Sequence, residues 1–88
     1  MYYIAVYDIA SPKRLPKMLK LCRGYLHHVQ YSVFEGELTP AALAELKHKA
    51  KKIMNVHEDS MIIYCVGNER WMEREIIGIE KNSTSNFI

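Results

Sequence analysis

Asp8 and the cations that follow it are the residues of this sequence best placed to do chemistry. Residues 1–9 are an apolar run of aromatic, β-branched and small side chains (Tyr2, Tyr3, Ile4, Ala5, Val6, Tyr7) that stops on one acid, Asp8. Apolar side chains at both alternating positions describe a strand with neither face wet, central in a helix-covered sheet. The carboxyl end of such a strand is where ligands tend to sit. Asp8 is therefore a ligand-facing carboxylate or, more plainly, a cap that turns the chain into the next helix. Beyond it, no acid occurs between Ile9 and Phe34, whereas Lys13, Arg14, Lys17, Lys20 and Arg23 do. Cations without interspersed acids describe one basic surface suited to phosphates; the plainer reading is a solvated helix face.

The elements that must hold these residues follow from periodicity. Ser11 and Pro12 offer an N-cap and a first-position proline. Pro16 would clash in the second turn of a helix begun there, so the regular helix is expected over residues 14–25. Leu15, Leu19, Cys22 and Leu26 form its core stripe, and Lys13, Lys17, Lys20 and Arg23 look elsewhere. Over residues 27–38 the alternation slips by one at Val33 and Phe34. A slip in a period of two needs a bulge or a reversal, which predicts two short strands joined near Ser32.

Thr39 and Pro40 then cap a helix over residues 41–54, with Leu43, Leu46, Ala50, Ile53 and Met54 on one face. Its other face carries Lys47, Lys49, Lys51 and Lys52, read as solvated. Residues 60–66 are apolar on both faces and predict a second central strand. A turn over 67–70 and a short strand over 75–80 follow. The order β-α-β-β-α-β with one more strand implies an α+β, ferredoxin-like domain over residues 1–80, with both helices on one face of an antiparallel sheet and the other face bare. The tail, 81–88, ends on Phe87 and Ile88 and is expected to fray or to dock on a partner chain.

Composition narrows the class. A chain of 88 residues buries only about two-thirds of its unfolded surface, so stability is expected to lean on a second copy. A net charge of +2 is too small to argue for nucleic acid by itself, which leaves the placement of the charges to decide. Cys22 and Cys65 form no C-x-x-C pair, so neither disulfide nor zinc chemistry is expected and a reducing cytoplasm fits. No run has the length of a membrane span, and the first stretch lacks the features of a signal peptide. His48 and His57 have no ligand-spaced companions.

The motifs YDI (residues 7–9), the basic helix entered through Arg14, QYSVFEGEL (30–38) and DSMIIY (59–64) together resemble the CRISPR-associated protein 2 family, from residue 1 to about 80. The resemblance implies a ferredoxin-like homodimer in which Asp8 faces its twin near the two-fold axis. It also implies a place in spacer acquisition, as the central dimer between copies of the integrase, CRISPR-associated protein 1. Members are further described as metal-dependent nucleases on single-stranded RNA or double-stranded DNA. By that analogy Asp8 holds Mg²⁺, or Mn²⁺, as the catalytic ligand; Tyr7, Arg14 and Phe34 shape the site; Ser32 lies at the bend beside it.

Two departures from the family pattern bear on activity. After YDI, where acids and several arginines are common, this chain has Ala10, Ser11, Pro12 and Pro16, which leaves Arg14 as the phosphate ligand there. Before QYSVF a frequent arginine is His28, largely neutral at pH 7. A phosphodiesterase needs a metal or base to make a nucleophile and cations to steady the transition-state charge. Each chain offers one strategic carboxylate, so two reach one Mg²⁺ only in a dimer. A scaffold that lies along duplex phosphates asks less. The alternatives are a nucleic-acid-binding dimer without catalysis and a toxin-like mRNA endoribonuclease of the same fold. A sheet-face RNA binder lacks its aromatic motif.

Overall fold

A computed structural model of the chain describes residues 1–68 and 71–79. The elements are β1 (Tyr2–Asp8), α1 (Leu15–Arg23), β2 (His27–Gln30), β3 (Val33–Glu37), α2 (Pro40–Ile53), β4 (Ser60–Asn68) and β5 (Trp71–Gly78). The strands form one antiparallel sheet in the order β2-β3-β1-β4-β5. This is the ferredoxin-like arrangement, with β1 central and β5 added outside β4. Glu80 and the tail 81–88 lie outside the described residues, as do residues 69 and 70 of the expected turn.

β1 corrects the expectation that neither of its faces is wet. Tyr3, Ala5 and Tyr7 are buried, but Tyr2, Ile4 and Val6 are only half-buried. The buried set joins Met18 and Cys22 of α1 and Leu46 and Ala50 of α2 in a single core. That shared core places both helices on the odd-numbered face. Among the described residues no helix covers the even-numbered face, and there Ile4 is registered between Glu35 and Tyr64, and Val6 between Val33 and Ile62. Period-two alternation carries Asp8 onto this same face at its end.

α1 is shorter than expected and turned about its axis. Ser11 opens a preliminary turn, its hydroxyl accepting from the Lys13 N–H at 3.1 Å and its carbonyl from the Arg14 and Leu15 N–H groups. Pro16 is tolerated because it falls in the first turn, where its missing N–H would have had no helical partner. The buried stripe is Met18, Cys22 and Leu26; Leu15 is 42% exposed and Leu19 only packs against the core. The first half of the expected stripe is displaced because Leu15 and Leu19 line a groove beside the core, while Cys22 and Leu26 stay within it.

α2 starts where expected, with the Thr39 hydroxyl accepting from the Ala42 N–H at 3.1 Å. Leu46, Ala50 and Met54 are buried, with Leu43 and Ile53 beside them. Two of its lysines are more than solvated charges. Lys47 pairs with Glu75 of β5 at 2.9 Å, and Lys49 donates to the Tyr25 hydroxyl at 2.9 Å. Tyr25 in turn donates to Glu45 at 2.6 Å, so the end of α1 is tied to α2.

Both devices allowed by the slipped alternation are present in the β2–β3 hairpin. The register shifts between His28 and Gln30, and the chain reverses through Tyr31 and Ser32 between the paired Gln30 and Val33. Tyr31 has φ +43°, the left-handed region that a tight reversal demands and that side chains other than glycine's rarely enter.

Candidate functional site

Asp8 is exposed at the carboxyl end of β1, opposite Ser60 at the start of β4. Its position is fixed by the residue one before Ser60. Asp59 is fully buried, and its carboxylate accepts the Ala10 N–H at 2.8 Å and the Asn55 N–H at 2.9 Å. It also accepts from Arg14, Nε to Oδ2 at 2.8 Å and Nη2 to Oδ1 at 3.0 Å. A single carboxylate thus joins the loop leaving Asp8, the start of α1 and the turn after α2.

The electrostatics follow from these partners. Burial alone would raise the Asp59 pKa, but the Arg14 guanidinium and the two backbone N–H groups outweigh it and hold the carboxyl at about 2. Arg14 is raised in turn, chiefly by its hydrogen bonds to Asp59, and Nη2 also donates to Glu58 at 3.0 Å. Arg14, expected to meet phosphate, is therefore engaged by two carboxylates at the base of α1. The end of β5 closes over the same carboxylate's backbone: Ile79 N–H donates to the Asp59 carbonyl at 3.1 Å. Gly78 has φ +98°, and an added Cβ would collide with that carbonyl.

The other expected residues fall into two groups. Lys13, Lys17, Lys20 and Arg23 are exposed along α1, and among the described residues none of them forms an ion pair. Tyr7, Phe34 and His28 are brought together as a stack of rings. Tyr7 and Phe34 lie 5.8 Å apart at 26°, and Phe34 and His28 lie 4.5 Å apart at 11°. Phe34 is completely buried, so it supports the site from behind. His28 is exposed, and its Nε2–H donates to the Tyr31 carbonyl at 2.6 Å, bracing the strained reversal. Ser32 is half-buried, and its carbonyl accepts the Tyr7 N–H at 3.2 Å.

Between this reversal and the first turns of α1 runs an apolar groove of about 430 Å³, walled by Tyr7, Leu15, Leu19 and His28. Two candidate nucleophiles are disarmed by burial. The Cys22 thiol is pushed up to about 12, and the Tyr7 phenol is raised as well, so both stay protonated at neutral pH. Among the described residues no group of three or more His, Cys, Asp and Glu side chains comes together. Asp8 is therefore not part of any such group within the described chain. Sequence reasoning missed Asp59: an acid before a strand has no periodic signature, and its partner Arg14 lies 45 residues away.

The family model described as CRISPR associated protein Cas2 matches residues 1–74. A protein of Fusobacterium nucleatum named CRISPR-associated endoribonuclease Cas2 is 41% identical over 92 residues, covering 100% of this chain and 87% of that protein. One of the same name from Dictyoglomus turgidum is 42% identical over 88 residues, covering 100% of both chains. The crystal structure of Streptococcus pyogenes Cas2 superposes with a TM-score of 0.71 at 38% identity, covering 76% of this chain and 87% of that one.

Proposed function

The chain belongs to the CRISPR-associated Cas2 family, and from that premise we propose that it is a homodimeric nucleic-acid-binding protein of CRISPR adaptation with a metal-dependent phosphodiesterase site at Asp8. The observation that carries this reading is the bare sheet face. Tyr2, Ile4, Val6, Ile62 and Tyr64 are half-buried on it, and Asp8 stands at its end. An apolar sheet face of this kind is the surface a second copy covers, and a two-fold axis there sets Asp8 opposite Asp8. The relatives' name, endoribonuclease, supports phosphodiester cleavage as the chemistry.

Two Asp8 carboxylates are a hard-oxygen donor set that fits Mg²⁺ or Mn²⁺. When bound, such an ion supplies an activated water and neutralises phosphate charge. The chain's own residues do the rest. Asp59 fixes the loop after Asp8 through the Ala10 N–H. Arg14 acts through Asp59 as a positioning residue. Lys13, Lys17, Lys20 and Arg23, doubled by symmetry, form a surface that follows phosphates without reading bases.

In adaptation this dimer is the spacer between copies of the integrase, CRISPR-associated protein 1, and sets their separation on duplex DNA. The scaffold role is the primary one, because each chain contributes a single carboxylate at Asp8 and Arg14, at the N-cap of α1, is engaged by Asp59. The protein works in the cytoplasm, where Cys22 and Cys65 remain free thiols. The test is Asp8→Asn assayed in parallel for Mg²⁺-dependent cleavage, duplex binding and spacer integration. Loss of cleavage alone supports the reading. Unchanged cleavage removes the metal site, and a monomeric wild-type protein removes the shared site altogether.

A further inference from the structure

We propose that the apolar groove between α1 and the β2–β3 reversal is a stacking site for one unpaired nucleobase of a single strand that follows the basic face of α1. The inference rests on the nucleic-acid reading above and adds to it a distinction between unpaired and paired strands. Its first support is shape. About 430 Å³ falls within the roughly 300–1,000 Å³ of small-molecule sites, and the walls are flat or apolar: Tyr7, Leu15, Leu19 and His28. Its second support is Tyr31, which stands at the rim 88% exposed, held out there by a backbone of φ +43°. Among the described residues this exposed ring takes no part in the core. It presents a face on which a base can stack.

Charge selects the occupant. None of the groove-lining residues is an acid, so a cationic or basic-peptide ligand finds no partner there. Anionic ligands do. Arg23 is exposed at the end of α1. Lys17 and Lys20 lie exposed along the same helix. An apolar plane carried on an anionic backbone is the ligand that satisfies both features. A stacked duplex keeps its bases inside and offers none.

The experiment uses the full chain and two probes, a single-stranded oligonucleotide carrying 2-aminopurine and a blunt duplex of equal length. The wild-type protein is compared with Tyr31→Ala, Tyr31→Phe and Leu15→Gln. Tyr31 and Leu15 are both exposed, so these substitutions leave the core untouched. Binding of the wild type should quench the 2-aminopurine by stacking. Tyr31→Ala should weaken the single strand by about tenfold, Tyr31→Phe should restore it, and Leu15→Gln should reduce the quenching. Duplex affinity should stay within about twofold, since phosphate contacts carry it. Single-strand affinity and quenching unchanged in Tyr31→Ala and Leu15→Gln overturn the inference. So does an equal loss on both probes, or a change in oligomeric state, which would make the groove a protein contact. A wild type that binds neither probe at low salt fails the proposed function itself; one that binds the duplex without quenching the single strand fails only the base site.

Discussion

Arg14 and Asp59, 45 residues apart, meet in a two-point ion pair, Nε to Oδ2 at 2.8 Å and Nη2 to Oδ1 at 3.0 Å, with Asp59 fully buried. Parallel hydrogen bonds of this kind fix orientation as well as distance. The pair therefore sets the angle at which α1 leaves β1, and with it the path of the loop that begins at Asp8.

Removing the buried carboxylate should be costly. Asp59→Ala strands the Arg14 guanidinium and leaves the Ala10 and Asn55 N–H groups without their acceptor. Deleting one partner of such a pair is expected to lower stability by about 3 kcal/mol. Asp59→Asn keeps the size but not the charge and should cost less. Urea unfolding of the two variants checks the order, and a loss below about 1 kcal/mol in Asp59→Ala would show that the clamp is ornamental.

The same pair dictates an acid limit. Asp59 is held at about 2 against an ordinary value of 3.8, so its contribution is fully present above pH 3.8 and is lost as pH falls toward 2. Stability should therefore rise with pH across that window, because the unfolded chain binds the extra proton there. Unfolding free energies of the wild type and Asp59→Asn, measured at intervals from pH 2 to pH 5, should converge at the acid end. Parallel curves would place the pH dependence elsewhere.

How much of this was legible beforehand depended on whether the signal was local. α2 could be read because its apolar residues repeat with the period of the helix that buries them, and Thr39 with Pro40 marks a start that needs no tertiary context; β1 was legible as a strand ending at Asp8, but an unbroken apolar run does not say which of its faces the helices cover. The reversal at Tyr31 and Ser32 was legible as a phase slip. α1 was legible as a helix with Cys22 and Leu26 in the core, but not in its first turns, because Leu15 and Leu19 have the same spacing and character as Met18 and Cys22 and only the packing partner decides which pair is buried. Asp59 was illegible for a different reason. Its role depends on Arg14 and Ala10 arriving from the other end of the chain, and no spacing within residues 55–60 encodes that.

Binding to duplex DNA should fall steeply with salt and ignore sequence. If the dimer uses about six cations of its two α1 helices, the slope of log K against log salt is roughly −5. Reversing Lys17, Lys20 and Arg23 to glutamate should abolish retention at moderate salt. Arg14→Gln should change the slope little, because that guanidinium is held by Asp59 and Glu58. A slope near zero, or an Arg14 variant that loses a full counterion, would redraw the basic surface.

Asp8→Asn separates the roles that Asp8 can play. The amide keeps the shape and the hydrogen-bonding capacity of the carboxylate but loses the charge that holds a hard cation. Cleavage dependent on Mg²⁺ or Mn²⁺ should therefore disappear. Duplex binding should persist and strengthen slightly, since each dimer sheds two negative charges beside the phosphate path. Under the proposed scaffold role, in which the integrase performs the strand transfer and the dimer sets the distance between its copies, spacer integration should persist as well. Folding should be unaffected, because Asp8 is exposed and the adjoining loop is anchored by Asp59 through Ala10 at 2.8 Å. Asp8→Asn that melts early or splits the dimer would make the residue a structural cap. Asp8→Asn that binds DNA as a dimer yet fails to support integration would make its carboxylate indispensable to adaptation, and the scaffold would no longer be the primary role.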